Sequence, residues 1–194
     1  MKRNTTSRAR LLAAAEGVFY ERGIVSTNVD AVAQEAGVTK PTLYAHFPSK
    51  SALAAEALRS RHARRAADLE TYLSTEASGE PRLLAVFTWL ADWYEGHGKR
   101  GCAFVNAAAE LSPSDELVSV AAREEKQWLL NTLGRLCEEA GAGSPEVLAS
   151  QLLLLIDGVA GRVVVRGPGA AAGAVDDAAR AAAVLVAAAT GAHA

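Results

Sequence analysis

Apolar residues at Leu11, Leu12, Ala15, Val18 and Phe19 recur at the i, i+4, i+7 spacing of one helical face, and Glu21-Arg22-Gly23 adds a glycine stop. The pattern predicts a first helix over about 8–22. Thr27 precedes Asp30 by three residues, a start resembling a capping box. Val29, Val32, Ala33 and Ala36 then form one short apolar stripe up to Gly37. Thr39 is the expected N-cap of a third short helix, with Pro41 in the first turn, Leu43, Tyr44 and Phe47 following, and Pro48 as the stop. Ser49 is placed to cap a longer helix carrying Leu53, Ala57, Leu69 and Leu73 on one side.

The stretch 74–81 is rich in small, polar and turn residues and marks the best candidate boundary after that helix. Beyond it, Leu83, Leu84, Phe87, Leu90, Ala91 and Tyr94 repeat at helical spacing. Further apolar helical segments are expected over 102–111, 115–140, 144–165 and 175–190, the last preceded by an alanine- and glycine-rich break at 167–173. Ser144-Pro145-Glu146 is read as a cap, an N1 proline and a dipole-favourable acid. No alternating strand pattern interrupts the series. The expectation is an all-α chain of about nine helices.

Charge changes this picture by dividing it. The 194 residues carry a net charge of −2, yet residues 1–65 hold 11 basic and 5 acidic side chains, net +6, and residues 66–194 hold 9 and 17, net −8. A basic end on an acidic body points to a polyanion partner for one end only. The two cysteines, Cys102 and Cys137, and the four scattered histidines have no metal-ligand or disulfide-framework spacing, so neither metal nor cofactor is expected. The opening MKRNTTSRAR lacks the apolar run of a secretory leader. The apolar stretch 181–192 is too short to span a bilayer, so the expectation is a soluble, cytoplasmic protein without membrane contact.

Two short helices joined by a glycine-containing turn are the geometry of a helix-turn-helix, whose second helix enters the DNA major groove. Ala33 is small where the helices must approach, Gly37 suits the turn, and Val38, Leu43 and Phe47 are apolar where the unit must close on the first helix. The stretch TNVDAVAQEAGVTKPTLYAHFPSK, Thr27 to Lys50, resembles the DNA-binding signature of the TetR family of transcriptional repressors. GVTKPTLYAHFPSK is its most diagnostic part, and the likeness covers about residues 8–53.

That resemblance implies a DNA-binding domain over 1–53 and a helical ligand-binding and dimerisation domain over 54–194. It implies that Thr27 and Tyr44 hold phosphates and that Lys50 anchors one from the start of the fourth helix. Thr39, Lys40, Thr42 and His46 would lie on or near the recognition helix, facing base edges and backbone. The chemistry agrees: hydroxyls and helix N-terminal amides suit phosphate oxygens, and Lys40 can donate to guanine acceptors. Tyr44 read alone is equally a core aromatic and His46 an ordinary surface histidine. Arg3, Arg8 and Arg10 suggest a basic arm or a solvated terminus, and Arg59 to Arg65 a solvated helix face.

A helix-turn-helix this small gains specificity by pairing across two half-sites about 34 Å apart. The strongly apolar 152–165 and 175–189 are the expected homodimer contact, the alternative being core helices of a monomer. The middle helices carry Phe87, Trp89, Trp93, Tyr94, Phe104 and Trp128. Phe87, Trp93, Phe104, Asn106 and Trp128 are the candidate lining of a pocket for a largely apolar or aromatic small molecule, with Glu110 and Gln127 as further polar groups. Single aromatics at helical spacing are also ordinary core residues. The resulting expectation is a ligand-responsive regulator, a repressor that binds a palindromic DNA operator as a homodimer and is released by a small molecule.

Enzymatic readings fail on context. Gly167 to Ala172 formally matches GxGxxA, but no strand-helix alternation surrounds it and the chain ends before a ribose-binding acid about 20 residues on. Gly98-Lys99 lacks the rest of a phosphate loop, and Cys102 has no recognisable base. A DNA-compacting protein without a ligand and a helical enzyme with an incidental head are the alternatives in kind.

Overall fold

The computed structural model describes residues 6–111 and 113–191. Among these, the chain forms nine α-helices and one short 3-10 turn and no strand. The helices are α1 (Ser7–Arg22), α2 (Val29–Glu35), α3 (Lys40–His46), α4 (Lys50–Leu73), α5 (Glu80–His97), α6 (Ala103–Leu111), α7 (Glu116–Glu139), α8 (Pro145–Arg166) and α9 (Ala171–Thr190), with the 3-10 turn at Pro168–Ala170. The all-α expectation holds.

Two compact units result. The first contains residues 1–64 and 103–125, and the second residues 65–102 and 126–194. The chain crosses between them inside α4 and inside α7 and between α5 and α6. Residues 54–64 and 103–125, assigned by sequence to the body, are therefore grouped with the helix-turn-helix residues.

In the first unit, α1, α2 and α3 pack on one another. Leu11, Ala15 and Val18 of α1, Val32 and Ala33 of α2, Leu43 of α3 and the following Phe47 are all buried, as their spacing predicts. Burial of side chains of this size stabilises by about 1.5–3 kcal/mol each for the large ones. The caps are mostly local. Thr39 Oγ1 accepts from Thr42 N at 3.3 Å, Ser49 Oγ from Ala52 N at 3.0 Å, and Asp115 Oδ1 from Val118 N at 3.2 Å. At the start of α2 the expectation is corrected. Asn28 is the N-cap, its Oδ1 accepting from Asp30 N at 3.1 Å, while the Thr27 hydroxyl donates backward to Gly23 O at 2.6 Å.

In the second unit, α9 packs against both α5 and α8. Leu69, Leu83, Trp89, Leu90, Leu129, Leu133, Leu136, Leu152, Ile156, Ala182 and Val186 belong to one buried cluster. Two further details depart from the sequence reading. Ser144 stands before α8 without a side-chain cap bond. The glycine-rich break is confined to Gly167 (φ 84°), because the 3-10 turn runs directly into α9, which begins at Ala171 instead of Val175. Alanine-rich sequence needs no polar cap to propagate a helix once a turn has nucleated it.

By length and composition alone, α8 is long and apolar enough to cross a membrane, unlike the 181–192 stretch. Its Asp157 is paired with Lys126 and its Arg162 with Asp177, and Leu152, Ile156, Val159 and Val163 face the core of the second unit. Those features are those of a core helix with one uncovered face.

Candidate nucleic-acid interface

The turn between α2 and α3 is made by Gly37, whose left-handed φ of 61° is costly for residues with a Cβ. Arg10 of α1 donates to the Gly37 carbonyl at 3.4 Å. With Leu43 buried beneath it, α3 presents Lys40, Pro41, Tyr44, Ala45 and His46 outward. Tyr44 is 44% exposed, so the reading of it as an ordinary core aromatic is set aside. His46 and Thr39 are exposed and Thr42 is partly buried.

The hydroxyls of Thr39 and Thr42 are 2.9 Å apart and hydrogen-bonded, so these two side chains stand at the N-terminus of α3 as one unit. The Lys40 ammonium meets the Asp30 carboxylate of α2 at 3.0 Å. That hydrogen bond and charge hold the Lys40 amine above its ordinary pKa. Asp30 is the residue near this surface that sequence reading missed. Its partner is ten positions away across a turn, where no helical spacing announces the pair.

Lys50, at the first position of α4, donates to Val25 O at 3.0 Å, which places its ammonium beside the α1–α2 turn. Thr27 is 4% exposed and its hydroxyl is committed to Gly23 O. That hydrogen bond latches the α1–α2 turn. Arg8 is likewise no free arm: it pairs with Glu56 at 2.8 Å and lies over the Phe47 ring at 5.3 Å. Arg3 lies outside the described residues.

Two of the arginines of α4, Arg61 and Arg65, are buried and not on a solvated face. Arg61 is 6% exposed and bonds Glu16 of α1 at 3.1 Å, with its guanidinium over Tyr20 at 4.4 Å; Arg64 reaches the same carboxylate at 2.7 Å. Arg65 is buried over the rings of Trp89 and Trp93. Arg59 joins Glu56 and Glu124.

The candidate pocket residues separate between the units. Phe104 and Asn106 fall in the first, Phe104 buried with its ring edge-on to His62 and Asn106 partly buried. Phe87, Trp93 and Trp128 fall in the second. There Phe87 is a core residue, and Trp93 is stacked between Trp89 at 5.5 Å and His97 at 4.7 Å. Trp128 lines a cleft of about 590 Å³ together with Leu69, Leu73, Leu136, Arg82 and Arg135. Both arginines already meet Glu139, and Arg82 also donates to the Glu76 carbonyl. The other two polar candidates point elsewhere: Glu110 accepts from Val25 N at 2.9 Å, and Gln127 bonds Asn131 one turn along α7.

Comparison with known proteins agrees with this arrangement. Residues 11–57 match the family described as bacterial regulatory proteins, tetR family. Over 161 residues the chain is 30% identical to the HTH-type transcriptional repressor DhaR of a Mycobacterium species, covering 77% of this chain and 78% of that one. It is 35% identical over 94 residues to the HTH-type transcriptional activator FasR of Mycolicibacterium smegmatis, a match spanning 48% of this chain and 42% of FasR. The match to FasR thus extends over less than half of that relative's length. A solved TetR-family transcriptional regulator from Streptomyces coelicolor superposes with a TM-score of 0.86 at 28% identity, over 95% of this chain and 96% of that one. The chain belongs to the TetR family of bacterial helix-turn-helix transcriptional regulators.

Proposed function

We propose that the protein is a ligand-responsive repressor that binds a palindromic operator as a homodimer. The observation that carries this reading is the outward face of α3, where Lys40, Tyr44 and His46 stand exposed over a buried Leu43. Thr39, Lys40, Thr42 and His46 face base edges and nearby backbone. Tyr44 and Lys50 take phosphates, Lys50 beside the carbonyl it already holds. Thr27, whose hydroxyl fixes the turn in which it sits, stands with them on the phosphate side.

The dimer is supported by α8 and α9, whose outer faces leave Leu154 (69%), Val165 (82%), Val164 and Val184 uncovered. Apolar side chains in such a row are costly in water and suit a two-fold contact with a second copy. The small molecule is assigned to the second unit, with the cleft beside Trp128 as its candidate seat and Phe87 and Trp93 as further candidates there; Phe104 and Asn106 are separate candidates within the first unit. DNA and ligand would each favour a different arrangement of the same chain, and a coupling of about 1–3 kcal/mol lowers operator affinity roughly 5- to 150-fold. The names of the relatives include a repressor and an activator; the sign of regulation follows from where the operator lies.

The test is titration of the full-length protein onto the duplex it enriches from a random DNA pool. Two chains per palindromic duplex support the reading. One chain per duplex, or no enriched sequence, overturns it.

A further inference from the structure

The ion pair between Asp30 and Lys40 sits on the face that would meet a polyanion. Lys40 opens the recognition helix and Asp30 lies in the first turn of α2, with nitrogen and carboxylate oxygen 3.0 Å apart and both side chains about half exposed, at 48% and 53%. An exposed pair of this kind contributes little to folding. The angle between α2 and α3 is already set by the buried Val32, Ala33 and Leu43 and by the Gly37 turn. A carboxylate here opposes phosphate binding, and it neutralises the lysine placed to reach the groove. Its presence calls for a role other than bracing.

We propose that Asp30 and Lys40 act together as a reader of a G·C base pair, and that Asp30 is a specificity-determining residue. On its major-groove edge a G·C pair offers the guanine O6 and N7 acceptors beside the cytosine N4 amino donor. An ammonium and a carboxylate held side by side carry the complementary donor and acceptor. Lys40 has three N–H donors, so it can keep Asp30 while donating to guanine. Asp30 has lone pairs left for the cytosine amine. At an A·T pair the donor, adenine N6, lies between two acceptors, so a carboxylate placed for cytosine N4 meets thymine O4 instead; away from base edges it faces phosphates, which weakens non-specific association. This inference rests on the DNA-binding reading above and adds to it a residue that faces base edges without being basic.

The experiment compares full-length wild type, Asp30→Asn, Lys40→Ala and the exchanged pair Asp30→Lys/Lys40→Asp. Each is bound to the duplex that wild type selects, to a scrambled duplex of equal composition, and to duplexes varied at each position of the half-site. Asp30→Asn is expected to bind the scrambled duplex about 3-fold more tightly and the selected one about 3-fold less tightly, lowering the ratio between them about 10-fold. The position at which Asp30→Asn loses preference is expected to be the G·C pair at which Lys40→Ala does. The exchanged pair is expected to melt at the wild-type temperature and to lose that preference, which a mere brace would not do. Equal changes on both duplexes, loss of preference at a different position, or wild-type preference in the exchanged pair would overturn the proposal. A wild-type protein that prefers no sequence contradicts the DNA-binding reading itself, whereas failure of this inference leaves a selective wild type.

Discussion

The Glu110 carboxylate of α6 accepts a hydrogen bond from the backbone N–H of Val25 at 2.9 Å, in the turn between α1 and α2. The same turn is held by Lys50 through Val25 O and by Thr27 through Gly23 O. Gly23, with φ at 86°, lets the carboxylate approach so closely that a Cβ there would stand 2.9 Å from Glu110 Oε1. Glu110→Ala is therefore expected to strip the Val25 amide of its protection from hydrogen exchange and to cost about 1 kcal/mol in urea. Gly23→Ala is expected to cost more, since it adds backbone strain to the clash. An unchanged exchange rate at Val25 in Glu110→Ala contradicts the assignment.

Glu16 and Arg61 form a buried ion pair between α1 and α4, both side chains less than a tenth exposed. Removing Glu16 takes away the carboxylate that Arg61 and Arg64 share. Glu16→Ala is expected to destabilise by about 3 kcal/mol, seen as a lowered urea midpoint. A change under about 0.5 kcal/mol, the range of ordinary surface substitutions, would mean the pair is not buried in solution.

Lys50→Ala and Tyr44→Phe are expected to weaken operator binding across sequences without changing which bases are preferred. Lys50→Ala in addition lowers the slope of log K against log salt by about 1, the signature of one lost phosphate contact. Fluorescence anisotropy over a salt series checks both. A change of preferred base in either variant would move that residue from backbone to base recognition.

Leu154→Glu and Val165→Glu place charges on the uncovered faces of α8 and its end. If that face is the two-fold contact, each substitution introduces two like charges into it, and sedimentation equilibrium is expected to show monomer. Far-UV circular dichroism is expected to remain helical. A dimer that survives both substitutions places the contact elsewhere.

The buried thiol of Cys137 is pushed up to about 11 by desolvation, with a smaller contribution from Glu138. The folded state thus holds this proton more tightly than an unfolded chain, whose thiol titrates near ~8.5. The sign is fixed: the stability contributed is full below about 8.5 and is lost as pH rises toward about 11. Thiol alkylation at pH 8 is expected to label the partly exposed Cys102 and to reach Cys137 only on unfolding. Equal labelling of both in the native protein contradicts this.

Much of the fold was legible because the helices of this chain bury one face, and burial leaves a 3.6-residue period that Leu11, Ala15 and Val18 or Val32 and Ala36 display directly. Thr39 and Ser49 were readable as caps because each is followed at once by the amides it receives. The choice between Thr27 and Asn28 was not readable: both side chains can cap, and the decision lies in the Gly23 carbonyl that Thr27 finds four residues back. The start of α9 was missed because an alanine- and glycine-rich run carries no polar signal of where a helix begins. Arg61 and Arg65 read as solvated because their partners, Glu16 in one case and the Trp89 and Trp93 rings in the other, are distant in sequence. The same distance hid the Asp30–Lys40 pair and the grip of Glu110 on Val25. The candidate recognition surface stood out because most of its residues are contiguous, whereas the candidate pocket residues come from separate helices and two of them, Phe87 and Trp93, are used by the core or by stacking.

Whether α3 reads DNA sequence is tested most directly by the ratio of affinities for the selected duplex and a scrambled one, measured at two salt concentrations. A palindromic selected sequence with a ratio above about 10³, keeping its preference as salt rises, is the predicted result. Binding that is equal on both duplexes and fades uniformly with salt would contradict it.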